Sequence, residues 1–257
     1  MLSTSAAIFV AQVLYAAHRP DRPGLADQDP SGIFGDEDAP FVRIVALGDS
    51  SVTAPGVVPL DASWARRMAR HVASTRRVEL VSLAKGGAKA RNVVAHQLPA
   101  ALECGADLAF VSVGANDALR GTPLTRYERE MRTIVGSLAA VTAGVGLSGV
   151  GDLGTVPRLP SFARGIGRVR GRSFDRALVR VAASHPNVVK ARTWGDGWRL
   201  FDEGDPDVVF AADHFHASAR GHDVFTAAWM PVVERLETML QPRAPSAPPP
   251  RRRESSR

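Results

Sequence analysis

Five short runs of continuous, largely β-branched apolar residues punctuate the chain: Val42 to Leu47, Val78 to Leu83, Leu108 to Val113, Val145 to Val150 and Val188 to Ala191. Unbroken apolarity over so few residues is the signature of parallel strands buried on both faces. Between them lie stretches with apolar residues at helical spacing, predicting helices over about Ser63 to Ala73, Arg91 to Cys104, Thr125 to Val141, Phe162 to Ala183 and Ala217 to Leu240. The last of these would bury Val224, Ala227, Ala228, Val232 and Leu236. Alternation of this kind, with no internal repeat, predicts an α/β domain: a three-layer α/β/α sandwich around a central parallel sheet of about five strands. Ligands are then expected at the carboxyl ends of the strands.

The flanks read differently. An apolar stretch from Ala6 to Ala17 is too short to span a bilayer of ~20 residues, and no cation precedes it as a secretory leader would require. It reads as a helix packed on the body, with an uncleaved membrane-contacting helix as the alternative. Arg19 to Pro40 is rich in Pro, Gly and Asp and reads as an irregular lead-in. From Pro242 the Pro-rich run followed by three arginines is disordered by composition. The expected organisation is therefore a segment 1–40, a domain 41–240 and a tail 241–257, in a cytoplasmic protein with membrane association as the open alternative.

Composition adjusts this picture in two places. A single cysteine, Cys104, excludes an intrachain disulfide and a multi-cysteine zinc site. A formal net charge of +6 raises a nucleic-acid reading, but from Gln241 onward five arginines face one acid, Glu254. The tail thus holds +4 and the body +2, too little for a duplex binder. Seven arginines at 158, 164, 168, 170, 172, 176 and 180 against one acid, Asp175, predict an amphipathic helix with Val169, Phe174, Leu178 and Val181 inward and a solvated cationic face outward. The sharper alternative for that face is anionic lipid headgroups or an acidic substrate. The three lysines, Lys85, Lys89 and Lys190, carry no message of their own at this level.

Four loops at the expected strand ends contain small or polar residues that packing does not need. Ser50, in Gly48-Asp49-Ser50-Ser51, is placed to be an exposed nucleophile or to cap a helix. Lys85-Gly86-Gly87-Ala88 can turn a backbone N–H toward a ligand or simply make a turn. Asn116, in Gly114-Ala115-Asn116-Asp117, can donate to an oxyanion or cap the next helix. In Asp213-His214-Phe215-His216, Asp213 and His216 lie three apart, so a turn would bring them to one side to form a base. His214 would point away, and His222 would pack or cap on the final helix.

In this order and spacing the blocks resemble the SGNH hydrolase family, the GDSL-type esterases and lipases, over about Phe41 to Leu240. The blocks are Ala46-Leu47-Gly48-Asp49-Ser50, Leu83 to Ala88, Val113 to Asp117 and Asp213 to Ser218. The resemblance implies a flavodoxin-like fold, Ser50 as nucleophile, His216 as base and Asp213 as its orienting acid. It implies an oxyanion hole from the N–H groups of Ser50 and Gly87 with the Asn116 side chain, no cofactor and no metal, and a small-molecule acyl ester as substrate. An acyltransferase or thioesterase would use the same site; a non-enzymatic basic module for anionic surfaces is the rival of another class. Three departures stand out: Ser51 replaces a bulky residue, Thr53-Ala54-Pro55-Gly56 is one residue longer than the usual Thr-x-Gly, and Ala217 replaces a proline. Gly144 to Gly149 formally fits G-x-G-x-x-G but overlaps a strand, no G-x-S-x-G elbow exists around Ser50, and the His214/His216 pair lacks further ligands at metal spacing.

Overall fold

The computed structural model describes residues 24–240 together with Ala11; the apolar stretch and the tail expected at the two ends fall outside the described residues. Five of its strands run parallel and match the apolar runs: β2 (Phe41–Gly48), β3 (Arg77–Ser82), β4 (Leu108–Ser112), β5 (Gly144–Leu147) and β6 (Val188–Lys190). A sixth, β1 (Gly32–Phe34), pairs antiparallel to β3 with Phe34 opposite Val78. The order β1-β3-β2-β4-β5-β6 is doubly wound. Its reversal falls between β2 and β4, where a crevice opens at the carboxyl ends.

The helices are α1 (Ser50–Thr53), α2 (Trp64–Val72), α3 (Ala90–Asn92), α4 (Leu98–Glu103), α5 (Ala115–Leu119), α6 (Leu124–Val141), α7 (Ser161–Ala182), α8 (Arg199–Glu203), α9 (Pro206–Val209) and α10 (Ala219–Glu237). The single helix expected from Arg91 to Cys104 is divided by a π turn at Val93–Gln97. Pro99, which has no N–H to give to the preceding turn, accounts for the break.

Successive residues of the strands point to opposite faces, giving two cores. Val45, Leu47, Ala109, Val111, Val145 and Leu147 pack under α3, α4, α6 and α7. Ile44, Ala46, Leu108 and Phe110 meet α2 and α10 on the other side. In β5 this second face is all glycine. A Cβ on Gly146 would lie 2.5 Å from Trp229, and one on Gly144 2.6 Å from Leu236. Two glycines of the formal G-x-G-x-x-G match thus make room for Leu236 and Trp229, and the next α-helix starts only at Ser161.

Trp229 stacks on Trp64 at 4.2 Å between ring centroids and tilts against Phe110 at 5.1 Å. It occupies the centre of the inward stripe of α10, with Val224, Val232 and Leu236, whereas the expected Ala227 is exposed. On α7, Phe174, Leu178 and Val181 are inward, but Val169 faces out at 67% exposure. Its cationic side is not simply solvated. Arg168 pairs with Asp152 at 2.6 Å, Arg180 with Glu128 at 2.5 Å, and Arg170 donates to the carbonyls of Ala118 and Thr122. Among the described residues no helix is long and apolar enough to cross a membrane.

The expected boundary at residue 40 also shifts. Beyond β1, Gln28 donates to the carbonyls of Ala54 and Val57, so the lead-in is part of the domain as far back as the mid-twenties. The three-ring stack predicts that Trp229→Ala, which leaves glycines facing an emptied site, destabilises by about 3–5 kcal/mol. Urea unfolding followed by circular dichroism checks it; a cost under about 1 kcal/mol would remove the stack from the core of that layer.

Candidate active site

The last residue of β2, Gly48, has φ +147°, and a Cβ there would collide with the carbonyl of Ser112 on β4. Only glycine lets the strand end this close to its neighbour. Its N–H donates to Gln97 Oε1 at 2.8 Å and its carbonyl accepts from Gln97 Nε2 at 2.9 Å, so a buried amide holds both sides of the peptide. The same carbonyl takes the N–H of Lys85, which begins the second loop. Asp49 then donates its N–H to Ser112 O, and its side chain caps α1 by accepting from Ser51 N at 3.0 Å. The cap is therefore Asp49, and Ser50 opens the helix. Burial pushes the Asp49 carboxyl above its ordinary value, opposed by its Ser51, His216 and Asn116 neighbours.

The two serines differ. Ser51 Oγ lies 2.6 Å from Ser112 Oγ and reaches the Ser112 carbonyl, so its hydroxyl is committed to β4. Ser50 has no side-chain partner among the described residues and lines a cavity of about 150 Å³. The small Ser51 at the departure from the family pattern thus joins α1 to the next strand.

His216 lines the same cavity. Ala211 N donates to His216 O and His214 N to Ala211 O, folding residues 211–216 into a tight turn. Asp213 Oδ2 sits 2.6 Å from His216 Nδ1, while Asp213 Oδ1 accepts the N–H groups of Phe215 and His216 at 3.0 Å each. Burial works to raise the Asp213 pKa, but the His216 ring and the two N–H donors outweigh it and hold the carboxyl below its ordinary value. An ionised acceptor at Nδ1 leaves Nε2 as the nitrogen free to take a proton. His214, at φ +55°, turns to Asp207 at 2.6 Å. With the two rings bonded to different carboxylates they do not converge on one point, and among the described residues no group of three metal-ligating side chains forms.

His222 is buried on α10, and its Nδ1 accepts the N–H of Trp64 at 3.1 Å, capping α2 from another element. Burial, with Arg67 nearby, drives its pKa down to about 3, so the ring is neutral. Asn116 lies inside α5, whose cap is Gly114, and its Nδ2 reaches Asp49 Oδ2 over 3.4 Å. The Gly87 backbone sits at φ +75° in the turn after β3. Of the expected hole, Ser50 lines the cavity, while Asn116, tied to the residue before it, and Gly87 lie outside the lining.

Three supporting residues left no mark in the sequence pattern. Gln97 is one. Asp27, in the lead-in, accepts from Thr53 Oγ1 at 2.7 Å and from Gly86 N at 2.9 Å, bridging the helix of Ser50 to the turn of Gly87. Asp117 accepts from Ala90 N at 2.8 Å and ties the Asn116 segment to α3, with its other oxygen buried and unpartnered. Gln97 is the one that a search for polar residues on an otherwise apolar helical face could have found.

Residues 46–224 match the model of the GDSL-like lipase/acylhydrolase family. Among solved structures, TesA superposes with a TM-score of 0.61 at 21% identity, covering 76% of this chain and 99% of its own. The psychrotrophic esterase EstA from a Pseudoalteromonas species gives 0.58 at 17%, covering 76% and 98%. The acetylxylan esterase Axe2 from Geobacillus stearothermophilus gives 0.56 at 16%, covering 78% and 95%. At these identities the likeness carries the fold. None of the curated proteins matches the chain.

Asp117 offers a test of the links between these loops. Burial raises its pKa from 3.8 to about 6. Between those values the folded chain keeps a proton that the unfolded chain has released, so this group's contribution to stability falls as pH climbs through the window and is level above it. Asn at 117 can still accept from Ala90 N but carries no charge. The stability of Asp117→Asn relative to the original chain should therefore rise, by on the order of 2 kcal/mol, between pH 4 and pH 7. A difference independent of pH in chemical unfolding would show that Asp117 titrates normally.

Proposed function

Because the chain belongs to the GDSL-like lipase/acylhydrolase family, and is a carboxylic ester hydrolase of that class, we propose that it works through a Ser50 acyl-enzyme with Asp213, His216 and Ser50 as its triad. The observation that carries the reading is the free Ser50 hydroxyl facing the same cavity as a His216 ring held by Asp213. His216 Nε2 takes the Ser50 proton as Oγ attacks the acyl carbon. Asp213 fixes the ring and stabilises the imidazolium. The carbonyl electron pair moves onto oxygen, where the N–H groups of Ser50 and Gly87 and the Asn116 amide receive it. The imidazolium returns its proton to the departing alcohol, and water, deprotonated by the same ring, releases the acid. The missing Ser50–His216 hydrogen bond is compatible with this, since such contacts tighten in the substrate complex.

The cavity narrows the acyl group. Beyond Ser50 and His216 its walls include Val156, Trp198, Phe201, Phe210, Phe215 and Phe225. This mostly apolar space of about 150 Å³ has room for an acyl chain of a few carbons. The same site would serve a thioesterase or an acyltransferase. The shielded carbonyl chemistry is common to all three, and an ester is the simplest substrate that uses it.

A fluorophosphonate probe should label the protein and fail on Ser50→Ala, whereas Ser51→Ala should still label. Labelling that survives Ser50→Ala and is lost in Ser51→Ala would move the nucleophile by one residue. With 4-nitrophenyl esters, kcat/KM should climb by about fourfold per added methylene from acetate until the cavity is full. On the best of them, Asn116→Ala should lose roughly 100- to 1000-fold in turnover. A loss within threefold would remove Asn116 from the hole.

A further inference from the structure

The walls of the cavity are mostly apolar and carry no Arg or Lys, whereas the ground beside the Gly87 turn is cationic. Arg120 follows α5 four residues after Asn116, and its Nη2 and Nη1 atoms lie 3.8 and 3.9 Å from where a Cβ on Gly87 would stand. The guanidinium therefore rests against the peptide whose N–H belongs to the proposed oxyanion hole. Lys89 adjoins it, with Nζ donating to the Arg120 carbonyl at 3.3 Å, and Arg91 follows in α3.

Among the described residues these cations form no ion pair. Several arginines elsewhere are paired with a carboxylate: Arg43 with Glu79, Arg66 with Asp61, Arg67 with Asp223, Arg168 with Asp152. Near the turn, Arg126 is taken by Glu130 and Lys85 by Asp27. The side chains of Arg120 and Arg91 have no hydrogen-bond or carboxylate partner among the described residues. The one carboxylate that attracts Lys89, Asp117, is buried and accepts from Ala90 N, and it forms no ion pair with the ammonium. Burial, with repulsion from Arg91, Arg120 and Arg126 added to it, pushes the Lys89 ammonium below its ordinary value.

We propose that Arg120, Lys89 and Arg91 form a rim that binds an anionic group, phosphate or carboxylate, on the part of the ester lying outside the apolar cavity. The inference rests on the reading of Ser50 and Gly87 as catalytic groups and adds the substrate's character: amphiphilic, with a short apolar acyl end and an acidic leaving group. Arg120 carries most of the discrimination, because its planar fork matches either oxyanion in two places. Arg120 is exposed, so the attraction is screened by salt.

Two matched pairs of esters test it: 4-nitrophenyl butanoate against 3-carboxy-4-nitrophenyl butanoate, and 1-butanoylglycerol against 1-butanoylglycerol 3-phosphate. Hydrolysis of the neutral members establishes the Ser50 reading by itself. The ratio of anionic to neutral kcat/KM, corrected for the esters' intrinsic reactivity, tests the rim, and the pair with the higher ratio distinguishes carboxylate from phosphate. The expected result is a ratio above one in at least one pair, falling about three- to fivefold in Arg120→Gln and shrinking in 0.5 M NaCl. No preference in either pair, or a preference that Arg120→Gln retains, overturns the proposal. So does an equal loss on both members of a pair, which would place Arg120 in support of the Gly87 turn. Circular dichroism of Arg120→Gln separates either result from misfolding.

Discussion

The site depends on how closely β2 can end against β4. Gly48 makes that approach, and the hydrogen bonds around it fix three loops at once: Gln97 reads both sides of its peptide, Lys85 hangs the Gly87 turn on its carbonyl, and the next N–H, of Asp49, binds Ser112. A side chain at 48 would push β4 away and take Asn116 with it. The position of Ser50 is thus a property of the strand ends more than of its own helix, which is a single turn and too short to be stable alone. Asp27 and Asp117 extend the same principle, each carboxylate bridging segments far apart in the chain.

Burial sets the chemistry of neighbouring groups that look alike in sequence. His216 and His222 are six residues apart, yet one has an ionised partner on its Nδ1, while the other is buried, neutral and occupied in capping α2. Ser50 and Ser51 divide in the same way, one hydroxyl free and the other spent on β4. All four residues line the cavity, and what divides each pair is which side chain is already committed to a partner elsewhere in the fold.

Much of this was legible before any coordinates. The five parallel strands declared themselves because burial on both faces leaves an unbroken apolar run, and the four loops because small and polar residues sit where those runs stop. β1 was hidden because three residues at a sheet edge, with one buried, make no pattern. Asp27 and Gln28 were hidden for a different reason: their partners are backbone groups some 25 to 60 residues away, and such bonds leave no periodicity. Of the stripe of α10, Val224, Val232 and Leu236 were read as they lie, but the exposed Ala227 was included and Trp229 was left out, because alanines at 227 and 228 looked as apolar as the indole. Glycines opposite, at 144 and 146, held the information about which was inward.

The stack of Trp64 on Trp229 joins α2 to the closing helix, and Trp64 N gives its proton to His222 across 158 positions of sequence. Contacts of that span make assembly slow, because the intervening loop must be closed before they reward it. During synthesis the strands bearing Ser50 and Asn116 leave the ribosome well ahead of the turn that carries Asp213 and His216. A nascent chain therefore holds Ser50 without His216, and one sheet face open, until the helix of Trp229 emerges. The core is completed only once the helix of Trp229 has joined that of Trp64.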